Sequence, residues 1–266
     1  MSERIDGRSI ARTLIEDLQQ KRRPTTTLAV FLVGDDPSSV SFIQKKRHIA
    51  DVLGVSFTLY QYDAHEGEAT LLEKLKALAT DSSIGGIVLQ LPLPPEFDRD
   101  RFIAEIPPEK DVDNLTGQGR VLEPVVLTAQ AVLDATQSVL DHKVVAVVGR
   151  GFLIGEPIIR WAKPRASRVI VLDRDTGLLN IHEADVVISG VGVAGLIDPV
   201  VLKKDAAVID FGYDYDDRGR ISGDLDQRSV DFERLSWFTP TPGGTGPILV
   251  AKLFENFYRL TGSYED

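Results

Sequence analysis

The sequence contains no cysteine among its 266 residues, which excludes disulfides, thiolate metal ligands and a cysteine nucleophile. Histidine is scarce. His48, His65, His142 and His182 show no metal-ligand spacing and stand beside charged or polar neighbours, so all four are expected at the surface and no metal is expected. Nowhere do roughly 18 apolar residues stand together, as a membrane span requires. The opening MSERIDGRSIARTL has no apolar run of signal-peptide type. These absences predict a cytoplasmic protein with no membrane partner. Positive charge is also short: 30 Lys and Arg face 40 Asp and Glu, for a net charge of −10, which argues against a nucleic-acid binder. What is present, 43% apolar and 26% charged residues, is the composition of a globular chain of one large or two ordinary domains.

Helical and strand periods alternate along the chain. A helical stripe through Ile10, Leu14, Ile15 and Leu18 precedes the β-type run Thr27–Val33. A helix over Val40–Leu53, a strand Val55–Tyr62, a helix Ala69–Thr80 and a strand Gly85–Leu91 follow. After Pro124 come a helix Ala129–Leu140, strands Lys143–Gly149, Arg168–Asp173, Asp185–Gly192 and Ala206–Gly212, and a helix Ile154–Ala162 after the first of them. Only a turn or so of helix fits between Asp173 and Asp185. A last apolar helix near Pro247–Leu260 has no strand after it, so it is expected to pack back on the first domain. Two layered α/β domains are implied.

Some segments carry chemistry. GRGFLIG, Gly149–Gly155, follows a run of valines and opens a helix, the context of a dinucleotide fingerprint. Gly149 can make the tight turn, Gly151 can let backbone approach a diphosphate, and the helix beyond can offer N–H groups to the anion. Asp173, at the end of the next strand, suits ribose hydroxyls and hence NAD. Its neighbour Arg174, with Arg150, can pair with a 2′-phosphate and hence favours NADP. Gln90 is a polar residue at the carboxyl end of an apolar strand, where open α/β sheets bind ligands. TPTPGGTGP, Thr239–Pro247, is too rich in proline and glycine for helix or strand and must be a shaped loop.

Taken in order, VGDDPSSVSFIQKK (Val33–Lys46), GIVLQLPLP (Gly86–Pro94), EKDVD (Glu109–Asp113), GRGFLIG and the Pro-Gly loop resemble the methylenetetrahydrofolate dehydrogenase/cyclohydrolase family over essentially the whole chain. The resemblance implies two α/β domains flanking a cleft. Residues 1–123 with 245–266 would form a folate-binding catalytic domain that the C-terminal helix rejoins, and residues 124–244 a Rossmann-like dinucleotide-binding domain. It also implies a homodimer, a folate substrate and NADP, with NAD the alternative.

By the same resemblance, Lys46 would move protons, Gln90 would hold it, and Asp113 would accept the paired N–H donors of the pterin. Asp111 is left to cap or brace its loop. Phe42, Leu89, Leu91 and the segment Pro242, Gly243, Gly244, Thr245 and Gly246 complete the substrate set. Gly149, Arg150, Gly151, Gly155, Asp173, Arg174, Gly192 and Tyr213 form the coenzyme set. The chain departs from the family pattern at several points. Phe42 stands at a tyrosine position, Gly151 at a serine and Thr245 at a valine. Asn114-Leu115-Thr116 and Pro124-Val125-Val126-Leu127 replace the usual Gly-Phe-His and Pro-Cys-Thr-Pro. The missing Phe42 hydroxyl predicts a dehydrogenase with a weakened cyclohydrolase. A mainly monofunctional dehydrogenase and a non-catalytic folate- or nucleotide-binding paralogue are the alternatives.

Overall fold

The computed structural model describes residues 2–264. In chain order its elements are β1 (Glu3–Arg4), α1 (Gly7–Gln20), β2 (Thr27–Val33), α2 (Pro37–Leu53), β3 (Phe57–Tyr62), α3 (Glu68–Thr80), β4 (Ile84–Leu89), α4 (Arg99–Ala104), α5 (Pro124–Ala135), β5 (Val144–Val148), α6 (Gly155–Ala162), β6 (Arg168–Leu172), β7 (Val186–Ser189), β8 (Ala207–Asp210), the short pair β9 (Asp214–Tyr215) and β10 (Ile221–Ser222), β11 (Trp237–Phe238) and α7 (Thr245–Leu260). Between β6 and β7 there is only a 3₁₀ turn, Ile181–Glu183, as the short spacing requires. The helix expected over Ala129–Leu140 instead begins at Pro124 and ends at Ala135. Proline is well suited to a first helical turn, whose N–H groups have no partner inside the helix.

The chain divides into two compact units. One comprises the residues up to Arg12 with Val125–Leu249, the other Thr13–Pro124 with the residues from Val250 on. The boundary differs from the expected one at the N-terminus and at residues 245–249, which group with the Val125–Leu249 unit rather than with the rest of α7. Residues before Thr13 group with the dinucleotide-type unit because β1 adds in parallel to β11 and because Gly7 lies against the Gly243–Gly244 backbone. A two-residue edge strand carries too little pattern to be read locally.

In the Thr13–Pro124 unit, three parallel strands lie in the order β3-β2-β4. Strand β2 is central and buried along all but its first residue, as a strand covered on both faces should be. Its core joins Leu28, Val30 and Leu32 to Ile43, Ala50 and Leu53 of α2 and to Phe254, Phe257 and Tyr258 of α7. The return of the last helix is therefore real, and a physical need drives it: a short three-stranded sheet must cover both apolar faces.

In the other unit, β1-β11-β8-β7-β5-β6 form a six-stranded sheet whose pairings are all parallel. Strand β5 lies between β6 and β7, so the chain winds outward in both directions from it. The carboxyl end of β5 is thus a topological switch point, the place where such sheets bind ligands. Among the described residues no helix is long and apolar enough to cross a membrane.

Candidate active site

Asp36 starts α2 by accepting a hydrogen bond from Ser39 N (2.8 Å), with Pro37 in the first turn. Gly54 ends the helix in the left-handed region at φ 65°. Between these caps the buried positions are Ser39, Ile43, Lys46, Ala50 and Leu53. Spaced three or four apart, they form one stripe, and Lys46 stands in its middle. That placement, rather than anything in the local QKKRH run, buries Lys46 to 4% exposure. Lys45, about 100° round the helix, is exposed.

The buried ammonium meets Gln90 directly after β4. Lys46 Nζ donates to Gln90 Oε1 across 3.0 Å, while Gln90 Nε2 donates to the Leu91 carbonyl at 2.9 Å and so fixes which end of the amide faces the lysine. Gln90 N donates to Phe31 O (2.9 Å), which ties the residue to the central strand. Leu89 is buried in β4, and Leu91 is half-buried. Burial holds the lysine below its usual pKa range, and the Asp113 carboxylate partly opposes that shift. Burial likewise pushes Asp113 up to about 6, against the pull of Lys46 and with Asp111 adding to the rise. The Phe42 ring centroid lies 5.3 Å from Lys46 Nζ, one helical turn before it. The ring shields the ammonium and offers its π face but no hydrogen bond.

Asp111 and Asp113 have separate tasks. Asp111 is fully buried, accepts from Leu115 N (3.0 Å) and Thr116 N (2.8 Å), and bridges to Ile87 of β4. It braces the loop, which leaves the partly accessible Asp113 to project from a fixed base. Asn114, at φ 52°, accepts from Gly119 N (2.8 Å) and closes the same loop. A further brace had no motif to announce it. Asn256 of α7 donates from one amide nitrogen to Val112 O and Leu122 O, each at 2.8 Å, and so clamps both ends of the segment that carries Asp113. A lone asparagine in an apolar helix gives no sequence signal of this kind. At the Pro124–Leu127 departure, Val125 and Val126 are simply core.

The expected coenzyme residues belong to the other unit. Gly149 follows β5 at φ 96°, a conformation open to glycine and costly for other residues. A Cβ on Gly155 would stand 2.0 Å from the Gly149 carbonyl oxygen, so only glycine lets α6 start so close to the turn. Gly151 is different, since a Cβ there meets nothing within 4 Å. The tight turn, the close helix start and the switch-point position fit a dinucleotide diphosphate. Arg150 is drawn to Glu156 of α6, with Nε to Oε1 at 3.0 Å. Asp173 Oδ1 accepts from Asp175 N (3.1 Å), Thr176 N (3.1 Å) and Thr176 Oγ1 (3.2 Å), and these bonds hold its pKa low. Arg174 is exposed. Gly192, at φ 72°, follows β7, and the half-buried Tyr213 stands edge-on to Tyr215, 6.1 Å between centroids.

The Pro242–Gly244 stretch leads into α7 in this unit, and the helix takes in Thr245, Gly246 and Pro247, the end of what was expected to be loop, since a proline and a glycine are tolerated in a first helical turn. Gly244 and Thr245 are buried, and Thr245 Oγ1 donates to the Asp210 carbonyl at 2.8 Å, which gives the threonine hydroxyl a structural use. The structure thus brings Lys46, Gln90, Asp113 and Phe42 together, and separately the two glycine loops after β5 and β7. All four histidines are exposed, and among the described residues no cluster of His, Asp or Glu could hold a metal ion.

Residues 5–113 match the family model for the tetrahydrofolate dehydrogenase/cyclohydrolase catalytic domain, and residues 126–264 match that for the NAD(P)-binding domain of the same enzymes. The bifunctional protein FolD of Lactobacillus delbrueckii subsp. bulgaricus is 35% identical over 278 aligned positions, covering 98% of this chain and 98% of that protein. Among solved structures, the N5,N10-methylenetetrahydrofolate dehydrogenase-cyclohydrolase of Trypanosoma brucei, complexed with NADP and an inhibitor, superposes with a TM-score of 0.90 at 27% identity, over 98% of this chain and 97% of that one. The bifunctional FolD enzyme of Campylobacter jejuni does so with a TM-score of 0.89 at 27% identity, over 97% of each chain. With both domain models matched in order and a relative aligned end to end, the chain belongs to the tetrahydrofolate dehydrogenase/cyclohydrolase family.

Proposed function

We propose that this protein oxidises methylenetetrahydrofolate to the methenyl form with a nicotinamide coenzyme and hydrolyses the product to formyltetrahydrofolate. The observation that carries the reading is the buried Lys46–Gln90 hydrogen bond beside Asp113. A lysine held in apolar surroundings, below its usual pKa, is an acid/base group, and a purely structural stripe has no use for one. The bound coenzyme supplies the hydride acceptor for the methylene carbon, and positioning accounts for most of that step. Gly149, Gly155 and the start of α6 would hold its diphosphate.

In the hydrolytic step, water adds to the carbon of the methenyl cation and gives up one proton; the hydroxyl so formed gives up the second as its oxygen becomes the formyl carbonyl, the bond from that carbon to one folate nitrogen breaks, and the nitrogen takes up one proton, so that one proton is released overall. Lys46 is the group that accepts and returns these protons, Gln90 aims it, and Asp113 accepts the N–H donors of the pterin edge. Phe42 cannot hydrogen-bond the lysine, so the hydrolytic activity is the weaker of the two. Pro242–Gly246 is assigned to folate on the resemblance.

For the coenzyme we favour NADP, with Arg174 as the 2′-phosphate ligand. Arg174 is exposed, whereas Arg150 is engaged by Glu156 and Asp173 Oδ1 is occupied by its own turn. A homodimer completes the reading, supported by the resemblance. The test is an absorbance assay for methenyltetrahydrofolate formation, run with NADP and with NAD. Formation with NADP, followed by decay as hydrolysis proceeds, is expected. No formation with either coenzyme would refute the reading.

A further inference from the structure

Two acids that no motif singled out, Asp210 and Asp224, are fully buried in the dinucleotide-type unit. Asp210 ends β8, and Asp224 follows β10. Every carboxylate oxygen of the pair is satisfied. Asp224 Oδ2 accepts from Ser189 Oγ (2.5 Å) and Val191 N (2.8 Å), and its Oδ1 from Val193 N (2.8 Å). Asp210 in turn holds the base of Asp224: its Oδ1 accepts from Gly212 N (2.7 Å) and Asp224 N (3.2 Å), and its Oδ2 from Leu225 N (3.0 Å). Asp210 N donates to Thr239 Oγ1 (2.7 Å).

Burying two neighbouring carboxylates is a poor way to stabilise a fold, because desolvation offsets most of what the bonds contribute. A carboxylate is, however, an acceptor at every lone pair, and Asp224 spends two of its three bonds on one short segment, the third going to Ser189 at the end of β7. That segment, Gly190–Val193, leaves β7 at the switch-point end of the sheet, and its N–H groups on either side of Gly192 point to a single side chain. It is packed against the fingerprint: a Cβ on Gly149 would come within 3.1 Å of Val191 Cγ2 and 3.3 Å of the Gly190 carbonyl oxygen. The loops after β5 and β7 therefore form one surface, with Asp224 behind it.

We propose that Asp224, braced by Asp210, is a positioning residue for the nicotinamide coenzyme, setting the shape of Gly190–Val193. The inference rests on the reading of the β5 and β7 loops as the coenzyme site. Asp224→Asn puts an amide N–H where an acceptor stood, against Ser189 and Val191 or against Val193, and displaces the loop. Ser189→Ala removes one donor only and is the milder variant.

The test measures NADPH affinity by its fluorescence, KM for NADP, and coenzyme-free hydrolysis of methenyltetrahydrofolate, with thermal unfolding as a check on folding. Asp224→Asn should weaken NADPH binding and raise the KM for NADP by about tenfold or more, and Ser189→Ala by about threefold, as expected for one spoiled or one lost hydrogen bond. Hydrolysis should stay within about twofold of the unaltered protein, since it needs no coenzyme. If Asp224→Asn fails to fold, Ser189→Ala carries the test alone. Unchanged NADPH affinity in a folded variant, or hydrolysis falling in step with coenzyme affinity, overturns the proposal. Failure of the unaltered protein to turn over methylenetetrahydrofolate would instead refute the functional reading, and NADPH binding would still report on Asp224.

Discussion

Lys46 Nζ and Gln90 Oε1, contributed by a helix and a strand end 44 residues apart in sequence, stand 3.0 Å apart in a buried site. An amide oxygen is a neutral acceptor, so it orients the lysine without fixing its charge. The ammonium gains one bond but no full counter-charge, and burial can still depress its pKa.

Lys46→Met keeps the apolar stem of the side chain in the α2 stripe and removes the amine. Conversion of methenyl- to formyltetrahydrofolate should be abolished while measurable coenzyme reduction remains. Parallel loss of both rates at unchanged substrate affinity would show that Lys46 is not a carrier of protons for one step.

Phe42→Tyr tests the departure at the turn before Lys46. The ring lies 5.3 Å from the amine and is only half-buried, so an added hydroxyl can be accommodated. Methenyl hydrolysis should rise by about tenfold if the new bond contributes ~1.4 kcal/mol in the transition state, with little change in coenzyme reduction. Flat or lower hydrolysis in a folded Phe42→Tyr protein would refute the explanation for a weak cyclohydrolase.

Asp113 predicts a pH dependence of fixed sign. Its carboxyl, raised from 3.8 to about 6, must be ionised to accept pterin N–H groups, so kcat/KM for the folate should rise with pH up to about 6 and level off above. Because the folded state holds this proton more tightly than the unfolded one, the contribution of Asp113 to stability falls as pH climbs from near 3.8 to about 6. Asp113→Asn should remove the inflection near 6 from the kcat/KM profile and flatten that part of the stability curve. An inflection that persists in the variant assigns the titration to another group.

Arg174→Ala should weaken NADP binding far more than NAD binding, and Asp173→Ala should improve NADP by removing a charge near its 2′-phosphate. Titrations with both coenzymes decide it. Equal loss of both on Arg174→Ala would mean that the arginine does not contact the 2′-phosphate.

Two of the fingerprint glycines, Gly155 and Gly151, should respond unequally. Gly155→Ala drives a Cβ into the Gly149 carbonyl and should cost about 1–3 kcal/mol through overpacking, with loss of NADPH affinity. Gly151→Ser meets open space and should leave stability unchanged. Thermal unfolding of the two variants compares them directly, and a Gly155→Ala protein as stable as Gly151→Ser would count against the close approach.

Much of this was written locally. Strand β2 was readable to the residue as Thr27–Val33, because a run of buried β-type side chains needs no distant partner to announce itself. The caps of α2, Asp36-Pro37 at one end and Gly54 at the other, are local too, although the apolar period alone starts that helix only at Val40. The turn chemistry of Gly149 follows from glycine itself. The order of these pieces was enough to indicate two α/β domains and the family. Other features depended on what the chain folds against. Lys46 and Lys45 are indistinguishable in QKKRH, and only the packing of α2 on its sheet decides which ammonium loses its water. Asp111 and Asp113 are equivalent letters until the bridge to Ile87 turns one inward to the loop backbone. The pairing of β1 with β11, the Asn256 clamp and the bonds that Asp224 accepts from Ser189, Val191 and Val193 all join residues far apart in sequence. Their hydrogen bonds exist only once the sheets have formed, since a buried polar group takes its role from the partners that folding brings to it.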